Sequence, residues 1–269
     1  MVRAIVSGAA GRMGGRIIHM LEGAEGITLA GALEQPGHPA VGKSAGEVVG
    51  LPQKDIIISS SLTEILPQGD VLIEFTHPEP TLEHLQEAAA AGKAMVIGTT
   101  GLSPQQVDRL KGLAARTRVV FAPNMSVGVN LMFKVVEQIA QVLSEGYDVE
   151  IVEAHHRLKK DAPSGTALKL AQIIAQTLGR DLDKVGVYGR KGITGERTKE
   201  EIGIMTVRAG DIVGEHTVTF CGIGERLEVI HRAHNRDNFA RGAVRAAQWI
   251  VGQPPGLYDM QDVLGLKGL

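Results

Sequence analysis

A chain of 269 residues, 43% hydrophobic and 22% charged, has the composition of one large or two ordinary globular domains with a real core. Its 28 Lys+Arg against 30 Asp+Glu give no general attraction to nucleic acid or anionic membranes, and 3% aromatics leave few stacking platforms for single strands. One cysteine, Cys221, excludes an internal disulfide and a multi-cysteine metal site, and no metal is expected.

Cys221 ends an apolar run and reads as a packed core thiol. The N-terminal apolar run is too short for a signal peptide, and no stretch approaches the ~20 apolar residues of a membrane span. The expectation is a cytoplasmic protein without membrane or nucleic-acid partners.

Val2–Ser7 is a β-branched run that reads as a buried strand. It enters Gly8-Ala9-Ala10-Gly11-Arg12-Met13-Gly14, and Met13, Ile17, Ile18 and Leu21 then recur at helical spacing. Strand, glycine turn and helix form the context in which a glycine-rich fingerprint binds a dinucleotide. Gly8 permits the turn, Gly11 admits a pyrophosphate to the backbone, and Gly14 lets the helix pack on the strand. A second strand, Ile27–Leu33, ends at Glu34, a carboxylate placed to accept from ribose hydroxyls. Gln35 follows where a cation would meet a 2′-phosphate, with Arg12 and Lys43 as substitutes, so NADH, NADPH or both remain open.

The βα alternation continues. Strands are expected at 55–58, 71–75, 95–98 and 118–122, with helices at 81–91 and 104–115, the latter capped by Ser103. This is a Rossmann-type doubly wound parallel sheet, whose ligands sit at the carboxyl ends of strands. Phe75, Gly98, Thr99, Thr100, Ala122, Pro123, Asn124 and Met125 fall at such ends and are candidates to line the nicotinamide side.

The second half changes character. A long amphipathic helix at 126–143 precedes a strand at 147–155, in which Val149, Ile151 and Glu153 share one face. A helix at 164–178 follows, then strands at 202–208, 213–221 and 226–231 joined by short glycine turns, read as successive antiparallel neighbours. The expectation is a second α+β domain with an open mixed sheet, whose edges invite burial against another subunit. Residues 186–198, with four glycines, are expected to form a mobile loop, and a helix is expected at 238–251. The domains are placed at 1–126, completed by 237–269, and at 127–236.

Glu153–Leu170, EAHHRLKKDAPSGTALKL, is the densest chemistry in the chain. A strand that stops at His155 allows His155, His156 and Lys159 to be aimed into one cleft. Ser164 is placed as an N-cap, and the N–H groups of Gly165 and Thr166, with the helix dipole, suit a carboxylate or phosphate. Together with the neighbouring cations, these residues fit a small molecule carrying more than one negative charge.

EAHHRLKKDAPSGTAL resembles the signature of the dihydrodipicolinate (4-hydroxy-tetrahydrodipicolinate) reductase family of the diaminopimelate–lysine pathway. The similarity runs on through GAAGRMG at 8–14, EFTHPEPTLEHL at 74–85, GTTG at 98–101, MSVGVN at 125–130, TGERTKEEIGIMTVRAGDIVGEHTV at 194–218 and GLYDMQDVL at 256–264. The resemblance implies NADH and/or NADPH at Gly8–Met13, Glu34, Gly98–Thr100 and Ala122–Met125. It implies His155 and Lys159 as proton donors, and His156, Gly165 and Thr166 as holders of the carboxylates of a small dicarboxylate substrate; the reduction needs a nearby acid, for which a protonated His155 with Lys159 at hand is expected to serve. It also implies a C-terminal segment folded back on the nucleotide domain, and a homotetramer. Some members carry Arg where this chain has Gln35. Another two-domain dehydrogenase of a small amino or keto acid, such as an aspartate dehydrogenase, would share the first half but not HHxxKxDAPSGT. A non-catalytic NAD-responsive binding protein would bring a partner-binding module that the sequence lacks.

Overall fold

The computed structural model describes residues 1–52 and 55–268. Leu269, the end of the expected C-terminal segment, lies outside the described residues. The chain divides into two compact units, Met1–Val127 with Arg236–Leu269, and Gly128–Asn235.

The first unit begins with β1 (Val2–Ser7), α1 (Arg12–Glu22), β2 (Ile27–Leu33), α2 (Ala45–Val49), β3 (Ile58–Ser59) and α3 (Leu62–Ile65). It continues with β4 (Val71–Glu74), α4 (Pro78–Ala90), β5 (Ala94–Ile97), α5 (Pro104–Ala114) and β6 (Arg118–Phe121). The second unit contains α6 (Val127–Val142), whose first residue belongs to the first unit, β7 (Asp148–His155), α7 (Gly165–Thr177), α8 (Leu182–Val185) and β8 (Gly186–Val187). Then come β9 (Ile202–Arg208), β10 (Gly214–Gly222) and β11 (Glu225–Ala233), before the chain returns to the first unit for α9 (Asp237–Ile250), β12 (Gly256–Tyr258) and α10 (Met260–Leu264).

In the first unit seven parallel strands run in the order β12-β6-β5-β4-β1-β2-β3. Alternation along β1 explains the two layers of helices. Ala4 and Val6 join a core with Ile17 and Ile18 of α1 and Ala243 and Ile250 of α9, while Ile5 joins Leu62 of α3, Leu85 of α4 and Leu110 of α5. The Ser103 side chain and Gln106 form the reciprocal cap at the start of α5. Strand order reverses between β1 and β4, and the loops after these strands lie at the carboxyl end, where sheets of this kind bind their ligands.

In the second unit the order is β11-β10-β7-β9-β8. One sheet face carries Val149, Ile151, Ile202, Ile204, Val218 and Phe220 against Met132 and Val136 of α6 and Leu170 and Ile174 of α7. The mixed sheet is as expected, but β9 and β10 are not neighbours. β7 lies between them, parallel to β9 and antiparallel to β10. The turn from β9 to β10 crosses the end of β7 and bonds to it, Ala209 N–H donating to the His155 carbonyl and Arg157 N–H to the Gly210 carbonyl. Cys221 is also displaced from its expected place. The alternation that buries Val218 and Phe220 turns it to the opposite face, where it is half-buried.

Residues 186–198 are tied down at several points. Gly186 and Val187 add the fifth strand. Arg197 donates to Asp148 at 2.7 Å, to Glu150 at 3.1 Å and to the carbonyls of Val149 and Glu201, while Arg190 pairs with Glu150 and Glu201. Among the described residues no helix is long and apolar enough to cross a membrane.

Candidate active site

In the first unit the fingerprint residues meet at the ends of β1, β2, β4 and β5. Gly8 has φ +68°, a left-handed conformation that favours glycine, and Gly11 N–H closes the turn onto the Gly8 carbonyl at 2.8 Å. A Cβ on Gly14 would stand 2.0 Å from that same carbonyl oxygen, so α1 can rest on the turn only with a bare Cα there. Gly11 is the N-cap of α1 and no side chain covers the helix start, which leaves it available to an anion; Arg12 and Met13 open the helix, with Arg12 exposed.

Glu34 leaves β2 and accepts from Ala10 N–H at 3.1 Å and Gln35 N–H at 2.9 Å, which binds the glycine turn to the end of the second strand. Ala9 is buried with its N–H on the Leu33 carbonyl. Gln35 and Lys43 are exposed.

Phe75 packs against Gly98, where a Cβ would come within 2.1 Å of the ring. Thr99 is buried on Thr81 at 2.8 Å, and Thr100 is exposed beside it. Ala122 N–H donates to the Ile97 carbonyl, Asn124 Oδ1 accepts from Ser126 N–H, and Pro123 is exposed. Met125 is buried with its carbonyl where a Cβ on Gly242 of α9 would fall, 1.7 Å away. These residues form a cradle of backbone and small side chains that fits a dinucleotide.

Sequence reasoning passed over the buried pair beneath this cradle. Glu74 is fully buried, receives the Thr76 hydroxyl and lies 2.7 Å from His84 Nδ1. Burial lowers the His84 pKa, but the Glu74 contact outweighs it and the pKa is raised.

In the second unit the predicted substrate residues gather at the end of β7 and the start of α7. His155 Nδ1 lies 2.6 Å from Glu153 Oε2, and its ring meets the His216 ring edge-on at 5.3 Å. His156 Nδ1 is buried and has no hydrogen-bond partner among the described residues. Lys159 donates to both Asp161 oxygens at 2.8 and 2.9 Å. Ser164 is the N-cap of α7, but its groups are already engaged. Its Oγ accepts from Ala167 N–H and lies 3.1 Å from His216 Nε2, and its N–H donates to Glu153. Gly165 is exposed, with nothing within 4 Å of the place a Cβ would take, and Thr166 follows, half-buried.

Glu153, Arg208 and His216 were not singled out from the sequence. Their signal was there: Glu153 shares a strand face with Val149 and Ile151, and His216 shares one with Val218 and Phe220. An ionisable group on a core face needs a partner.

Burial alone would raise the Glu153 pKa, but Arg208, His155 and the Ser164 N–H together bring it down to about 2. Burial, reinforced by His155, takes His216 down to about 3. For His155 burial lowers the pKa and outweighs the Glu153 contact, with Lys159 and Arg208 acting in the same direction as burial. These causes favour the neutral imidazole of His155, whereas the sequence expectation is a protonated one.

The signs give a stability prediction. Glu153 contributes stability above its ordinary value, 4.5, and loses it as pH falls toward about 2. Neutral His216 contributes above its ordinary 6.5 and loses that as pH falls toward about 3, on the order of 5 kcal/mol across the full window. Both point the same way. Urea midpoints of the intact protein should fall between pH 7 and pH 4, and His216→Gln should blunt the fall. An unchanged midpoint over that range would refute the assignment.

Both halves of the chain match one family. The model described as dihydrodipicolinate reductase, N-terminus, matches residues 2–125, and that described as dihydrodipicolinate reductase, C-terminus, matches residues 128–264. The 4-hydroxy-tetrahydrodipicolinate reductases of Syntrophus aciditrophicus and Syntrophobacter fumaroxidans are each 57% identical over 267 residues, covering 99% of this chain and 100% of theirs. Among solved structures, a dipicolinate-bound dihydrodipicolinate reductase from Paenisporosarcina sp. TG-14 is similar with TM-score 0.77 and 26% identity, covering 97% of this chain and 98% of that one. An amine dehydrogenase from Mycobacterium smegmatis, 16% identical with TM-score 0.58 and coverage of 95% and 94%, shares the fold. With both halves matched, and more than half its residues shared end to end with these relatives, the chain belongs to the dihydrodipicolinate reductase family.

Proposed function

We propose that the protein is an NAD(P)H-dependent oxidoreductase that converts 4-hydroxy-tetrahydrodipicolinate to tetrahydrodipicolinate in lysine and diaminopimelate biosynthesis. The observation that carries this reading is the cluster in the second unit, where the end of β7 with His155, His156 and Lys159 is joined through Glu153 to the open start of α7. Residues 1–126 with 237–269 hold the nucleotide, and residues 127–236 hold the substrate.

His156, whose buried Nδ1 lacks a partner, and the N–H groups of Gly165 and Thr166 receive the two carboxylates. Ser164 supports them as the N-cap of that helix start, its Oγ accepting from Ala167 N–H. The bound reduced nicotinamide supplies hydride to C4 of the ring. The substrate loses its 4-hydroxyl as water and the ring nitrogen gains a proton, so a proton donor lowers the barrier. Lys159 is the ammonium available for that transfer, once the substrate carboxylates compete with Asp161 for it. His155 completes the catalytic pair.

The outer face of the second unit's sheet exposes Val152, Val207 and Ile230 by 40%, 42% and 45%, which supports burial in a homotetramer. Sedimentation equilibrium at the mass of four chains is the expected result. Cytoplasmic localisation follows the same pathway assignment.

The test is an assay with the upstream aldol product, followed by loss of reduced-nicotinamide absorbance with each cofactor. Substrate-dependent oxidation of NADH, NADPH or both is expected; none with either would end the proposal. For cofactor choice, Gln35→Arg should strengthen NADPH binding by up to ~1–3 kcal/mol, the worth of a charge-assisted contact to a 2′-phosphate. An unchanged NADH/NADPH ratio would show that Arg12 or Lys43 already fills that role.

A further inference from the structure

Glu153 is fully buried on the core face of β7, and every polar group around it is a donor. Oε1 accepts from Ser164 N–H at 2.9 Å, from Arg208 Nη2 at 2.8 Å and from Thr206 Oγ1 at 3.3 Å. Oε2 accepts from Arg208 Nη1 at 2.8 Å and lies 2.6 Å from His155 Nδ1. A carboxylate so placed stays ionised and has only lone pairs to offer. The hydrogen in the 2.6 Å contact therefore belongs to His155 Nδ1. In a neutral imidazole this leaves Nε2 with a lone pair.

The charge balance favours the neutral ring. The Arg208 fork is bidentate on Glu153, so the carboxylate is compensated without an imidazolium. The other groups facing His155 do not demand a positive ring. They are Lys159, itself held by Asp161, and His216 from β10 with His231 beyond it on β11. Nε2 lies beside Gly214 at the start of β10, where a Cβ would stand only 3.1 Å away, so a side chain at that position would crowd the nitrogen.

We propose that Glu153 is the positioning residue of the substrate side: it fixes His155 as the Nδ1–H tautomer with Nε2 presented as an acceptor, and with the same carboxylate it ties that ring to the start of α7. The inference rests on the reading of His155 as a catalytic residue. It makes orientation of the imidazole and placement of the carboxylate-binding helix start a single linked arrangement. It also divides the pair, with Nε2 of His155 receiving a hydrogen bond and Lys159 giving the proton.

The decisive measurement uses the wild-type protein. With ¹⁵N-labelled histidine, and the resonance assigned by its loss in His155→Gln, His155 should show a protonated Nδ1 and an unprotonated Nε2 at neutral pH. A protonated Nε2 with a bare Nδ1 would overturn the proposal. Two variants test the electrostatic part by opposite shifts. Glu153→Gln removes the anion and leaves Arg208 unbalanced, so the His155 titration should move to lower pH. Arg208→Gln leaves the anion uncompensated, so the same titration should move to higher pH.

Shifts in the same direction, or none, would overturn the proposal, because general loosening of the fold does not produce opposite signs. In Glu153→Gln, kcat should fall about 10–100-fold, the usual cost of losing a residue that orients a ligating or reacting histidine, with dinucleotide affinity unchanged. Retained kcat would also refute the positioning role. The tautomer and the titrations are read without turnover, so failure of the proposed activity and failure of this inference are separately visible.

Discussion

Lys159→Ala is expected to lower kcat by about 10²–10⁴, and His155→Ala by a similar factor, the range of a positioned acid–base group. Both side chains stand at the end of β7, and both are held by carboxylates of the same cluster, Asp161 for Lys159 and Glu153 for His155. They act on one transition state, so the double variant should be scarcely worse than the poorer single one. Dinucleotide affinity should be unchanged in each, because the proposed nucleotide cradle lies in the first unit. Steady-state kinetics at saturating substrate, with nucleotide titration as control, gives the answer. Near-normal turnover in both single variants would remove the proposed proton chemistry.

Gly14→Ala is expected to be the most damaging small change in the first unit. Its new methyl carbon would stand 2.0 Å from the Gly8 carbonyl oxygen, 2.7 Å from its carbon and 3.0 Å from Ala9 Cα. All three are backbone atoms of the turn that would meet the pyrophosphate, so no side chain can swing away to make room. The turn must deform or α1 must lift off it. Overpacking usually costs 1–3 kcal/mol, and a clash with backbone should fall at the upper end, about 3 kcal/mol. Because the deformed element is the turn proposed to meet the pyrophosphate, dinucleotide affinity should fall more than tenfold, together with a lower thermal midpoint. Wild-type affinity in this variant would mean that the turn is not the cofactor site.

Much of the architecture was legible because its signals are local. The glycine turn after Val2–Ser7, the Ser103 cap and the Ser164 cap are each written within a few residues, and each stands where it was read. The errors came from relations between distant segments. Short turns suggested that β9 and β10 pair, but a short turn fixes direction without fixing neighbours, and β7 already offered a strand edge to each. The ties at Arg190 and Arg197 likewise depend on Glu150 and Glu201, which no spacing rule connects to residues 186–198.

The candidate site divides in the same way. His155, His156, Lys159 and Gly165 could be read as one stretch. Arg208 and His216 arrive from other strands, and only sheet register puts them beside Glu153. Ser164 illustrates a finer limit: its residue type suits both capping and ligand contact, and of the two the structure shows the cap, with Oγ accepting from Ala167 N–H.

The central position of β7 bears on how the substrate side can fail. This strand is flanked by β10 on one side and β9 on the other, and the turn joining those two strands crosses over its end at His155. Fraying, which normally begins at sheet margins and chain ends, cannot free β7 without opening a ladder on each side. Its amide protons should therefore be among the slowest to exchange in the second unit, while those of β8 and β11 exchange sooner. A gentle denaturant should then leave the His155–Glu153 contact intact until the whole unit unfolds, with no earlier stage in which the sheet survives and the site is lost.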